Sequence, residues 1–199
     1  MIIWYNVFCI LRYNASGKDT INMKHPTREE CMKILAEYGT PEHVRRHCNA
    51  VAGTAYSIGA ELNKNGYSMN LELIMAAGML HDIARKEDRH WDVAADYLES
   101  LGYSEESRII RVHMTYSPFS QIEDIDETDI VCLGDRLVKE DEYVGIDERI
   151  QYIIDKAVRN GNEEKIPFVL EKKKDTERLI KQIENKIGMS IDELMKGKK

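Results

Sequence analysis

Apolar residues recur with helical spacing along almost the whole chain after residue 26. Thr27 and Glu30 have the spacing of a capping box, in which each side chain accepts a hydrogen bond from the other residue's backbone amide, and Gly39 follows as a C-terminal glycine. A long apolar stripe then alternates steps of four and three, through Val44, Cys48, Val51, Ala55, Ile58 and Leu62. The pattern predicts one helix over 27–38 and a second that starts at Thr40 and Pro41 in N-cap and N1 positions and closes near residue 65.

The rest of the chain continues with the same spacing. Residues 71–84 are apolar on nearly every side, which predicts a helix in the middle of the domain. Further helices are predicted over 90–101, from 104 past 112, from a Thr128 cap to 138, over 147–161 and over 167–187, with a last turn capped by Ser190. Sustained alternation typical of a strand is absent, except in residues 1–11. The expected fold is therefore all-α, a single compact helical domain with a C-terminal helical extension.

Three segments follow from this interpretation. Residues 1–22 open with an apolar stretch that is too short to span a bilayer and lacks the flanks of a signal peptide, so they are interpreted as an N-terminal appendage from an upstream start codon. Residues 23–160 form the main domain, and residues 161–199 form a helical extension packed on it. The lysine- and glutamate-rich helix over 167–187 is compatible with a homodimer contact, although packing on its own domain is the simpler interpretation.

Composition limits the classes of partner. The 199 residues include 28 Lys and Arg against 35 Asp and Glu, for a formal net charge of −7. An acidic chain without a basic block is a poor candidate for nucleic-acid binding, and nothing predicts a membrane association. The four cysteines, Cys9, Cys31, Cys48 and Cys132, form no CxxC pair, which favours a reducing, cytoplasmic setting and does not suggest a thiolate zinc site.

Histidine and aspartate residues interrupt the apolar pattern at three places. His81 and Asp82 come at the end of the most apolar helix, His47 lies beside the apolar stripe of its own helix, and Asp135 falls inside another predicted helix. Unpaired charges at such positions are costly, and a divalent cation would be a suitable partner for them. A mixed nitrogen and oxygen set suits iron, manganese, zinc or cobalt better than calcium. Taken singly, each residue is also explained by an ordinary hydrogen bond or a surface position.

The order of these residues on a helical background resembles the HD superfamily of metal-dependent phosphohydrolases. HCNAVAGTAYSIGAEL, which begins at His47, resembles the first-histidine helix of that superfamily. AAGMLHDIAR, with His81 and Asp82, is similar to its central helix, and IVCLGDRL, with Asp135, is similar to its closing-aspartate helix. The resemblance covers about residues 27–160 and implies an HD-type helical fold with a metal centre.

Two more histidines are similar to additional ligands of the two-metal branch, which includes hydrolases that cleave diadenosine tetraphosphate symmetrically. His90 precedes WDVAADYLESLGY, and His113 ends RIIRVH. The resemblance implies one ion held by His47, His81, Asp82 and Asp135, and a second held by His90 and His113 with Asp82 bridging. It favours iron, with manganese, zinc, cobalt or magnesium as alternatives. His25 and His43 match no family position and are interpreted as solvated surface residues.

A lysine in much of the family stands three residues after the HD aspartate and contacts phosphate. Here Arg85 takes that position, and Lys86 follows. Arginine keeps the charge and adds a two-pronged donor, so Asp82 and Arg85 are the predicted catalytic residues. Arg85, Lys86 and Arg111 are the predicted phosphate-binding residues, although Lys86 is equally explained as a cation at the C-terminal end of a helix.

The resemblance implies a reaction in which metal-activated water cleaves a phosphoester or phosphoanhydride bond. The expected substrate is a small-molecule nucleotide or dinucleotide polyphosphate. Two other functions are compatible with the same ligand set: a two-iron oxygenase of the HD type, and a non-catalytic domain that binds a nucleotide as a sensor.

Overall fold

The computed structural model describes residues 25–197, so the appendage predicted over residues 1–22 lies outside the described residues. Helices dominate this part of the chain, which confirms the prediction of an all-α fold. They are α1 (Arg28–Tyr38), α2 (Glu42–Lys64), α3 (Leu71–Leu80), α4 (His90–Ser100), α5 (Ser104–Val112), α6 (Glu127–Leu137), α7 (Gly145–Arg159), α8 (Ile166–Ile187) and α9 (Ile191–Lys196). Two short antiparallel strands, β1 (Val138–Lys139) and β2 (Glu142–Tyr143), lie between α6 and α7. None of the described helices is both long enough and apolar enough to cross a bilayer.

Capping side chains explain where several helices begin. At α1 the predicted box is present, because the Glu30 amide donates to Thr27 Oγ1 at 3.3 Å and the Thr27 amide donates to Glu30 Oε2 at 2.7 Å. The prediction that Thr128 caps α6 is wrong, since the Asp126 carboxylate accepts from the first amides of that helix. The prediction for Thr40 is also wrong: Pro41 is the N-cap of α2, and the Thr40 hydroxyl donates to the Ile83 carbonyl at 2.8 Å.

Helix α2 is the centre of the packing, because it contacts α3 along one face and α6 along another. As predicted, α3 is buried in the middle of the domain. One apolar core joins α2, α3 and α6 to α8 and α9, and a second core joins α1, α3 and α4. The burial of α3 between these two cores fixes the position of the residues that directly follow it.

The C-terminal helices contribute to the first of these cores. Leu179 and Ile183 of α8 are fully buried in it, and Leu194 of α9 is nearly so. Helix α8 also holds the loop after α5, because the Phe119 amide donates to Asp175 Oδ2 at 2.8 Å and Arg178 donates to the Phe119 carbonyl at 2.6 Å. Within the described residues, the lysine- and glutamate-rich helix therefore buries its apolar face against its own chain.

Gly78 allows α3 to lie close to α2, since a Cβ at this position would stand 2.8 Å from the Ala52 Cα. We expect Gly78→Ala to lower the free energy of unfolding by about 1–3 kcal/mol, because the backbone of α2 must shift. Gly53 on α2 is the matched control: nothing lies within 4 Å of its added Cβ. Gly53→Ala is expected to raise the free energy of unfolding by about 0.5–1 kcal/mol through helix propensity. Urea denaturation measures both, and equal effects of the two substitutions would contradict the prediction.

Three cysteines in the described chain, Cys31, Cys48 and Cys132, are buried free thiols. Burial raises the pKa of Cys31 to about 12 and also raises the pKa of the other two thiols. Because the thiolate is the reactive form, we expect none of the three to react with iodoacetamide in the folded protein at about pH 8. All three should react in urea. Peptide mass spectrometry after timed alkylation is the measurement, and rapid native labelling of any of them would contradict the expectation.

Candidate metal centre

Four histidines and two aspartates, contributed by α2, α3, α4, α5 and α6 or by the residues that follow these helices, lie close together. His47 lies within α2, His90 begins α4, and Asp135 lies within α6. His81 and Asp82 follow α3 directly, since that helix ends at Leu80 rather than at the predicted residue 84, and His113 follows α5. The structure therefore brings together the six side chains that the sequence analysis named as ligands.

Asp82 lies between two pairs of imidazoles. Its Oδ2 atom is 3.7 Å from His81 Nε2 and 4.0 Å from His47 Nε2. Its Oδ1 atom is 3.1 Å from His90 Nε2 and 3.6 Å from His113 Nε2. Each oxygen of one carboxylate thus faces a different pair of rings, an arrangement suited to a bridging ligand.

Asp135 lies beside the pair formed by His47 and His81. Its Oδ1 atom lies 3.2 Å from His47 Nε2 and 3.8 Å from His81 Nε2. The ligand atoms of His47, His81 and Asp82 all lie within 4.8 Å of one another, and so do those of Asp82, His90 and His113. Each group is therefore compact enough to surround a single cation.

Backbone carbonyls orient three of the imidazoles. His81 Nδ1 donates to the Gly78 carbonyl at 2.8 Å, and His113 Nδ1 donates to the Ile110 carbonyl at 2.7 Å. In each case the acceptor lies three residues earlier, at the end of the helix that precedes the histidine. When Nδ1 carries the proton, the Nε2 lone pair of the neutral ring faces the centre, as metal-ligating histidines require.

His47 is oriented by a residue that sequence analysis missed. Its Nδ1 atom donates to the carbonyl of Glu140 at 2.6 Å. Glu140 connects β1 to β2 with a positive φ of 54°, which turns its carbonyl toward α2. No sustained alternation predicted β1 or β2, because strands of two residues are too short to show it. The polar run KEDE over 139–142 was the sole sequence signal of this turn.

Two buried nitrogen atoms in the centre have no hydrogen-bond partner among the described residues, His81 Nε2 and His113 Nε2. Both side chains are about 1% exposed, so water does not reach them from bulk solvent. Buried polar atoms are nearly always satisfied, and an unsatisfied one costs free energy. A cation between Asp82 and these rings would satisfy both atoms, so the residues present fit a divalent metal.

Electrostatics keep the acids ionised. Burial opposes ionisation of Asp82, but the surrounding imidazoles and Arg85 lower its pKa well below the usual value. Burial likewise opposes ionisation of Asp135, yet His47 and His81 lower its pKa. Burial lowers the pKa of His81 to about 4, so this ring is neutral at physiological pH. Charged carboxylates beside a neutral imidazole are the protonation states that a divalent metal binds.

Two other imidazoles near these acids behave differently. Burial opposes protonation of His47 and His113, but the nearby carboxylates outweigh it and raise the pKa of each ring. Protonated rings without a metal would give up their protons when a cation binds. Cation binding at these two rings would therefore compete with protons.

The three cations predicted to bind phosphate lie in different settings. Arg85 Nη1 is 3.4 Å from Asp82 Oδ1 and 3.2 Å from His90 Nε2, with 42% of its side chain exposed. It therefore links the centre to solvent. Lys86, the next residue, is exposed. Arg111 instead pairs with Asp96 of α4 at 2.6 Å, which directs its guanidinium along the helix surface.

The interpretation of His25 as a surface residue is wrong, whereas His43 is exposed as expected. His25 Nδ1 donates to Glu106 Oε1 at 2.7 Å, and both side chains are buried. Its Nε2 atom accepts from Asn70 Nδ2 at 2.9 Å. This contact ties the segment before α1 to α5, away from the candidate metal centre.

A helical domain in which four imidazoles and two carboxylates meet between packed helices is typical of a class of metal-binding all-α proteins. The family model described as the HD domain matches residues 44–160, more than half of the chain. The chain belongs to the HD domain family. Proteins of this family are in general metal-dependent phosphohydrolases that bind divalent cations, and the His and Asp side chains at this centre could hold a metal ion.

A comparison with curated proteins found a relative that matches part of the chain. The chain is 34% identical over 85 residues to the uncharacterized protein MJ0778 of Methanocaldococcus jannaschii. The match covers 41% of this chain and 50% of the relative, so the chain spans about half the length of the curated protein that it matches. No solved structure matches the chain.

Proposed function

We propose that the protein is a two-metal phosphohydrolase that cleaves a phosphoester or phosphoanhydride bond of a nucleotide or dinucleotide polyphosphate. The observation that carries this proposal is the position of Asp82, whose two oxygens face separate pairs of imidazoles. A site for one ion would not need the two oxygens of Asp82 to face different pairs of imidazoles. The proposal places the protein with the two-metal branch of the HD family.

Each half of the centre has its own ligands in this proposal. One cation would be held by Asp82 Oδ2 together with His47, His81 and Asp135, and the other by Asp82 Oδ1 together with His90 and His113. The nitrogen and oxygen donors favour iron, with manganese, zinc, cobalt or magnesium as alternatives. When bound, such cations lower the pKa of a water ligand and neutralise charge on phosphate oxygens.

Arg85 is the protein's own contribution to charge stabilisation. Its Nη1 atom lies beside Asp82 and His90, and the rest of its guanidinium reaches solvent. A phosphate that enters from solvent would meet the Arg85 guanidinium, whose Nη1 atom lies 3.4 Å from Asp82 Oδ1. Donors fixed where negative charge accumulates stabilise the transition state without reorganisation.

The test uses protein loaded with Fe²⁺ or Mn²⁺ and a panel of nucleoside mono-, di- and triphosphates and dinucleotide polyphosphates. We expect release of phosphate or mononucleotide, measured by ion-exchange chromatography, and loss of release after chelation. Arg85→Lys should lower turnover by about ten- to a hundredfold because the forked donor is lost. Arg108→Lys, at an exposed position on α5, is the matched control and should leave turnover unchanged.

Two results would contradict the proposal. The first is full metal occupancy with no product from any member of the panel. The second is oxygen consumption without phosphate release, which would favour the two-iron oxygenase instead.

A further inference from the structure

The loop over residues 114–121 leads directly away from His113, one of the histidines at the metal centre. His113 follows the last residue of α5, and its Nδ1 atom donates to the carbonyl of Ile110 in that helix at 2.7 Å. This contact orients the ring from the N-terminal side. The backbone of the histidine is also joined to the 114–121 loop, so the position of that loop affects the position of the imidazole.

Lys172 of α8 holds the first residue of the 114–121 loop. Its Nζ atom donates to the carbonyl of Met114 at 3.0 Å. The lysine side chain is partly buried, and the helix that carries it is anchored in the apolar core through Leu179 and Ile183. A donor on an anchored helix therefore fixes the backbone one residue after a histidine of the centre.

Arg136 of α6 joins the same loop to two helices. Its Nη2 atom donates to the carbonyl of Tyr116, and its Nη1 atom donates to Thr176 Oγ1 of α8 at 3.0 Å. Its guanidinium also lies over the ring of Phe119, 4.3 Å from the ring centre. Arg136 directly follows Asp135 in the chain, so one short segment of α6 carries a carboxylate of the centre and also holds the loop.

The far end of the 114–121 loop is held by carboxyl groups of the same two helices. Asp175 of α8 accepts from the Phe119 amide at 2.8 Å. Asp129 of α6, which is fully buried, accepts from the Ser120 amide at 2.9 Å and from the Tyr116 hydroxyl at 3.0 Å. Hydrogen bonds to carboxylates are stronger than those to neutral acceptors. The loop is therefore anchored at both ends by side chains of α6 and α8.

We propose that Arg136 and Lys172 are positioning residues, which hold His113 in place through the backbone of the loop that follows it. Neither side chain is a metal ligand. Together they set the affinity of the second cation, the one assigned to His90 and His113. This inference rests on the proposed two-metal function, and it gives a role to α8, which lies beyond the residues 44–160 that match the family model.

The test measures Mn²⁺ binding to the metal-free protein by calorimetry, without substrate. Arg136→Lys keeps the positive charge next to Asp135, but a single ammonium cannot hold both acceptors of the forked guanidinium in the same arrangement. We expect this variant to weaken the second Mn²⁺ by about tenfold or more and the first by less than about threefold. Lys172→Met loses the donor to Met114 and is expected to weaken the second ion by about threefold to tenfold. Because Lys172 is only partly buried, this variant keeps the test decisive if Arg136→Lys does not fold.

Two controls separate positioning from a general loss of stability. Lys174→Met removes an exposed cation from the same helix as Lys172. Leu35→Ala removes a buried side chain from the second apolar core, and no residue of the 114–121 loop is among the described members of that core. Urea denaturation shows how far each variant is destabilised. Both controls are expected to leave the ratio of the two Mn²⁺ affinities unchanged within about threefold.

Long-range ¹H–¹⁵N correlation spectra of the metal-free protein report on each imidazole separately. We expect the ring signals of His113 to move in both positioning variants, while those of His47 stay in place. Unmoved His113 signals in both variants, or an equal change in Leu35→Ala, would overturn the inference even if the protein binds two ions. Conversely, a wild-type protein that binds one Mn²⁺ would contradict the two-metal proposal, while movement of the His113 signals in the variants would still support the positioning role. The two failures are therefore distinguishable.

Discussion

Under the two-metal proposal, the Asp82→Asn protein is expected to bind neither metal ion and to lose at least about a thousandfold of the proposed turnover. The substitution keeps the side-chain shape but replaces one oxygen by an NH₂ group and removes the negative charge. Since Oδ1 and Oδ2 face different pairs of imidazoles, no single orientation of the amide serves both pairs. Elemental analysis of purified protein and product release from the best substrate of the panel are the measurements.

His90→Ala and His113→Ala are the comparisons that give this prediction its specificity. Both rings contact only the Oδ1 side of Asp82, so each variant is expected to lose about one ion and to keep the other. Asp88→Asn is the matched control, because Asp88 is an exposed carboxylate in the same turn region. It should leave metal content unchanged. Retention of two ions by Asp82→Asn, or loss of both by His90→Ala, would contradict the bridging role.

The identity of the residues at the centre could be predicted because their order along the chain resembles a family, while part of their geometry follows from local rules. His81 and His113 each end a helix and donate to a carbonyl three residues earlier, which is a local interaction. The contact between His47 and the Glu140 carbonyl is different, since it joins residues 93 positions apart. Its geometry depends on the β1–β2 hairpin, which is too short to produce an alternating pattern in the sequence.

The contacts of Arg111 also could not be predicted from local sequence patterns. The role of Arg111 in phosphate binding stays a prediction, but its place near His113 did not indicate that α5 packs on α4 and that two acids of α4 pair with it. A helical pattern indicates which face is buried but not which neighbouring helix carries a complementary charge. The local rules therefore predicted helices well and long-range ion pairs poorly.

Substitution of His25 has the largest expected effect on stability. The sequence analysis missed its role because its partner is distant along the chain. Its partner Glu106 lies 81 residues away, inside α5. The proton positions follow from the contacts: the Asn70 side-chain oxygen caps α3, so its NH₂ group faces His25 Nε2, and His25 Nδ1 must carry the proton donated to Glu106. A buried carboxylate thus depends on one imidazole.

We expect His25→Ala to lower the free energy of unfolding by about 3 kcal/mol, because it leaves the buried Glu106 carboxylate without its hydrogen-bond donor. His43→Ala, at an exposed position, should change it by less than about 0.5 kcal/mol. Urea denaturation at neutral pH measures both.

The double-mutant cycle separates the lost pair from the lost packing volume of the imidazole. If Glu106 is the reason for the instability of His25→Ala, removing Glu106 as well should cost less than the sum of the two single substitutions by more than about 1 kcal/mol. Glu106→Gln should be milder than either alanine variant, since an amide oxygen still accepts from Nδ1. Strict additivity of the two alanine substitutions would mean that the 2.7 Å contact contributes packing alone. In that case the segment before α1 would be held by apolar contacts rather than by this buried hydrogen bond.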